Sequence, residues 1–81
     1  MQEFVRPAAI EDLDALVALE ESHRAALVVT PRGGPQWLTE HPAAGRFGWS
    51  ERLSDSSWFC VVAGIDAAVF GFASARFDGT I

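Results

Sequence analysis

The chain has 81 residues, room for one small domain that buries about 60–65% of the surface its unfolded form exposes. Hydrophobic residues make up 49% and aromatics 11%, which supplies a core and argues against disorder. The net charge is −5 and every basic residue is arginine, so phosphate backbones and anionic lipid are poor partners; neither nucleic acid nor membrane is expected.

The first element is a short strand over 3–6, and Pro7 holds Arg6 in extended geometry. A helix follows over 10–27. Glu11, Asp12 and Asp14 fall in its first turns, where carboxylates favour the positive end of the dipole. Ala9 stands where a Ser, Thr or Asp cap would serve better. At 100° per residue, Ile10, Leu13, Leu16, Val17 and Leu27 share one face, which predicts an amphipathic helix.

"TPRGGP", residues 30–35, reads as a loop. "QWLTEH" has the composition of one or two helical turns ended by Pro42, and "WSERLSD" that of a second short helix. "SSWFCVVA" is a predicted strand, "GIDA" a turn, and "AVFGFASARF" a returning strand, with the strands at 58–63 and 68–77. Both are apolar on both faces, the pattern of a sheet covered by helices. The expected architecture is α+β in one domain over 1–81. Its order is strand, helix, short helix, strand, strand, around a three-stranded antiparallel sheet that the stub at 3–6 joins at one edge.

Cys60, the single cysteine, forms no internal disulfide and sits in an apolar run as a small hydrophobe would. His23 and His41 stand alone, without ligand spacing, so no metal is expected. "PRGGP" lacks the pattern of a phosphate loop, and Ser54, Ser56 and Ser57 read as cap and turn residues. No apolar stretch reaches the roughly 20 residues of a membrane helix, and the start resembles no signal peptide, which makes the cytoplasm the default expectation.

Glu20 and Arg24 fall near the centre of the helix's apolar face, at an i,i+4 spacing that allows them to pair. Two accounts stand. In one, the helix's second half emerges from the core and the pair is solvated, with little energetic weight. In the other, the pair lines a pocket at the far end of the helix.

"VRPAAIEDLDALVALE" together with "WSERLSDSSWFCVVAGIDAAVFGFASARF" resembles the N-terminal half of GNAT-type N-acetyltransferases. The likeness lies in a short strand opening into an acid-headed helix, then an "ERL" helix end leading into "WFCVVA", a turn and "AVFGFASAR". It departs at Ala9 and Ile10, where a Thr or Ser cap and a proline are usual. The larger departure is the (Arg/Gln)-x-x-Gly-x-(Gly/Ala) loop that holds acetyl-CoA in such enzymes, which nothing here matches. "FDGTI" looks like the turn into the strand preceding that loop.

The resemblance implies the acyl-CoA N-acyltransferase fold, acetyl-CoA as cofactor and a small-molecule or peptide amine as acceptor. It further implies that the chain supplies the acceptor side and is inactive alone, completed by a C-terminal segment or paired with a second copy. It makes Glu20 the candidate base, acting through water, and Arg24, Thr30 and Trp37 candidates for substrate contact. The alternative is a non-catalytic α+β interaction or dimerisation module.

Overall fold

A computed structural model describes residues 1–76 of the chain. The order is β1 (Glu3–Pro7), a 3-10 turn (Ile10–Asp12), α1 (Leu13–Val28), α2 (Gly34–Glu40), α3 (Gly45–Ser54), β2 (Trp58–Ile65) and β3 (Ala68–Arg76). The fold is α+β: three helices and an open, three-stranded antiparallel sheet of order β1-β2-β3. The expected turn in "FDGTI" lies outside the described residues.

β2 is the centre of the sheet. Phe4 faces Gly64 across one ladder and Val62 faces Phe72 across the other, with a bulge at Ala63/Gly64. Asp66 adopts a left-handed conformation in the β2–β3 turn, which Asp tolerates better than most residues. Its N–H donates to the Gln2 carbonyl at 2.7 Å, and its carboxylate accepts from the Gln2 N–H at 2.9 Å. The stub at the chain's start is thus tied to both ends of the partner strand, since the Ala8 N–H also donates to the Cys60 carbonyl at 2.9 Å.

Alternation along β2 sends Cys60 and Val62 into the core, where they meet Leu16 of α1 and Trp49 of α3. Leu16, Trp49 and Val62 are fully buried, and burial of a side chain of this kind contributes about 1.5–3 kcal/mol. Cys60 behaves as the small hydrophobe its run suggests, and burial pushes its thiol pKa up. The opposite face of the sheet carries Val5, Phe59 and Phe70, all well exposed. Cover on both faces was the expectation; among the described residues, helices pack on one.

Two features of the helical layer depart from the sequence pattern. Ile10 is 54% exposed, not part of the buried face. Residues 10–12 wind as a 3-10 turn, whose tighter pitch throws Ile10 out of phase with Leu13 and Leu16. Secondly, α2 begins at Gly34 inside the expected loop, and α3 begins at Gly45, ahead of the predicted "WSERLSD". Two short helices therefore occupy the span where the summary order had one. Gly34 is buried because α2 starts against the end of α1. A Cβ there would collide with the Leu27 carbonyl oxygen and the Thr30 side chain.

The missing cap at Ala9 is supplied from inside the helix start. The Asp12 carboxylate accepts the Ala9 N–H at 2.8 Å, the reaching-back half of a capping box. Both of its oxygens also accept from the Arg6 guanidinium, at 2.8 and 2.9 Å. Asp12 is 6% exposed, and the Arg6 hydrogen bonds hold its pKa below the ordinary carboxylate value against the opposing effect of burial.

Candidate functional site

The second half of α1, α2 and α3 enclose a cleft of about 440 Å³, within the usual range for small-molecule sites. Glu20, His23, Arg24 and Leu27 line it from α1, at the i, i+3, i+4, i+7 positions that share one helix face. Trp37 stands opposite, stacked on His41 with ring centroids 4.3 Å apart. Phe72 of β3 contributes to the lining and makes two aromatic contacts. His23 stacks on it at 5.5 Å and Trp49 meets it edge-on at 5.1 Å.

Glu20 and Arg24 do not pair with each other. The Glu20 carboxylate accepts the backbone N–H groups of Ala44 and Gly45 at 3.0 and 2.9 Å, one on each oxygen. The Arg24 guanidinium donates to the carbonyls of His41 at 2.6 Å and Leu38 at 3.4 Å. An acid therefore serves the start of α3 and a base the end of α2, each matching the sign of the helix dipole it meets. Neither sequence account described this. The two residues line a cleft, yet their hydrogen bonds go to the connection between two other helices.

Trp37 lines the cleft and is partly exposed, whereas Thr30 is not among its lining residues. The Thr30 hydroxyl donates to the Ala26 carbonyl at 2.9 Å, and its N–H to the Leu27 carbonyl at 3.2 Å, so it closes the end of α1. Sequence reasoning weighed His23 and His41 only as metal ligands and passed over Trp49, Arg52 and Phe72. Part of that signal was readable: Trp37 and His41 stand four apart, Trp49 and Arg52 three apart. The convergence of β3 on the same cleft was not, because it depends on the sheet register.

Arg52 occupies an unusual place on the wall. Its guanidinium carbon lies 4.3 Å from the centroid of the Trp58 ring and 5.0 Å from that of Trp49. The Trp49 indole N–H is buried and has no acceptor among the described residues. A second concavity, of about 500 Å³, lies across the open end of the sheet at Val5, Ala63, Ile65 and Phe70. It is nearly all apolar and carries no group suited to acid–base or ionic chemistry apart from Glu3.

Among the described residues no three His, Cys, Asp or Glu side chains converge as a metal site. No helix there is long and apolar enough to cross a membrane. A pyrophosphate is held by free N–H groups at a helix start, and at two of the three starts the chain's own carboxylates take some of these donors. Asp12 takes the Ala9 N–H ahead of α1, and Glu20 takes those of Ala44 and Gly45 at α3. At the start of α2, Pro35 removes a donor. No family model, curated protein or solved structure matches the chain.

Proposed function

We propose that the cleft is a small-molecule site and that the chain supplies the acceptor-binding half of a GNAT-type N-acetyltransferase, with the acyl-CoA N-acyltransferase fold as its frame. The observation that carries this reading is the position of the cleft. It opens along the second half of the first helix, beside α2, where the resemblance puts the amine acceptor, and both Arg24 and Trp37 line it.

On this reading Glu20 fixes the start of α3 through the backbone N–H group that each of its oxygens accepts. Proton removal from the attacking amine is then assigned to a group without that structural task. His23 is such a group: its ring stacks on Phe72 and has no hydrogen-bond partner among the described residues. On this reading acetyl-CoA is held by residues other than those described, and the 81-residue chain alone should neither bind it specifically nor transfer acetyl groups.

The test is calorimetric titration of acetyl-CoA into the folded chain, paired with sequencing of the coding frame beyond Ile81. A silent titration, with a further strand and a Gly-rich anion loop encoded downstream, is the expected result. Acetyl transfer to amines by the extended protein would complete the case, and its failure would remove it. A second reading, an interaction module, rests on the exposed Val5, Phe59 and Phe70 of the open sheet face. A stop codon directly after Ile81 would favour it.

A further inference from the structure

We infer that the cleft selects ligands carrying a carboxylate, and that Arg52 is the residue that reads it. This deepens the proposal of an amine acceptor: the acceptor would be an amino-acid-like molecule, with an anionic group and a planar or apolar body.

The argument begins with the chain's arginines. Arg6 is spent on Asp12, Arg46 on Asp14, and Arg24 on the carbonyls of Leu38 and His41. Arg32 and Arg76 are exposed to water. Arg52 is half-buried, lines the cleft, and has no hydrogen-bond acceptor among the described residues. Its guanidinium donors keep contact with water in the free chain, so an arriving carboxylate exchanges that water for a charge-assisted pair of hydrogen bonds.

Its surroundings orient it as a receptor. Trp49 and Trp58 both contact the guanidinium by cation–π interaction, at 5.0 and 4.3 Å. Contact of this kind fixes the guanidinium while its N–H donors remain available, and those donors form the fork that matches a carboxylate. Less of the ligand's binding energy is then lost to ordering the side chain.

Neither of the two carboxylates lining the cleft forms an ion pair with Arg52 among the described residues. Glu20 is held by the N–H groups of Ala44 and Gly45, and Glu40 accepts from the Gln36 side chain at 3.1 Å. The rest of the lining suits an apolar body: Leu27, Phe72 and the Trp37–His41 stack provide flat or aliphatic surface.

The experiment is a tryptophan-fluorescence titration of the unmodified chain with 3-phenylpropionate and, separately, with its uncharged amide. Trp37 and Trp49 lie in the cleft and report occupancy. Saturation by the acid in the roughly millimolar range, about tenfold tighter than by the amide, is the expected result. Equal affinities, or no saturable change with the acid, would overturn the inference. In Arg52→Gln the preference should vanish, and Arg52→Lys should keep a reduced part of it because the charge remains and the fork does not. If Arg52→Gln fails to fold by circular dichroism, the acid–amide comparison on the unmodified chain decides alone. Because the readout is equilibrium binding, its failure is separable from failure of acetyl transfer by an extended protein.

Discussion

Asp12 and Glu20 carry most of the polar organisation of this small fold, and both act on backbone N–H groups. Asp12 has a folded-state pKa held below the ordinary 3.8, first by the Arg6 hydrogen bonds and also by the Ala9 N–H. Its stabilisation is therefore complete above the unfolded-state value and is lost as the pH falls through the lowered folded value. Urea unfolding of Asp12→Asn against the parent chain should show a deficit of about 2 kcal/mol at neutral pH, shrinking as both are taken well below pH 3.8. A gap that stays constant with pH would mean that the Asp12 charge contributes nothing. Glu20→Ala removes both acceptors at the start of α3 and should cost roughly 1–2 kcal/mol in the same assay, the size of a strong cap. A variant as stable as the parent would show that water replaces the carboxylate without loss. From the sequence, the i,i+4 spacing of Glu20 and Arg24 and the acidic helix head were legible. Their partners were not, because Ala44, Gly45 and His41 are brought close only when α2 and α3 fold back on α1.

Among the elements, the strands matched the pattern most closely, since an apolar run bounded by turn residues leaves few alternatives. The helix starts were less readable. Gly34 and Gly45 each begin a helix despite glycine's weak propensity, and Gly45 does so with a left-handed φ of 66° that glycine adopts at no steric cost. Gly34 has a different reason: no side chain fits between α1 and α2. Gly34→Ala should destabilise the chain by about 2 kcal/mol or more through forced separation of these helices, seen as a lower thermal midpoint. Gly71→Ala is the contrasting case. A Cβ at this strand position meets nothing within 4 Å, so the change should be neutral or stabilise by up to about 1 kcal/mol. A similar loss at both positions would show that the tight approach at Gly34 is not what sets its cost. The cleft was legible by halves: its α1 wall follows from the spacing of Glu20, Arg24 and Leu27, whereas its contact with Phe72 depends on β3 pairing.

At the scale of the molecule, the doubly apolar strands predicted a sheet covered on both faces, and the helices among the described residues cover one. The other side presents Phe59 and Phe70, each more than 60% exposed, and β3 forms an edge with no proline or charge between Ala68 and Ala75. A surface of this kind is expected to favour self-association. Light scattering should show a mass that rises with concentration. The double change Phe59→Thr and Phe70→Thr should suppress that rise while leaving the thermal midpoint nearly unchanged. A concentration-independent monomer would remove the module reading of the sheet face. The place of β2 has a consequence in time as well as in space. The central strand begins at Trp58, so β1 and all three helices are made before the strand that joins them exists. At roughly 5–20 residues per second, synthesis leaves β1 without its partner for about 3–12 seconds. Even the longest segment made in that interval, α1 with 16 residues, is only marginally helical by itself. The nascent chain must stay soluble through that delay, and its strong negative charge and the late arrival of "WFCVV" favour that outcome.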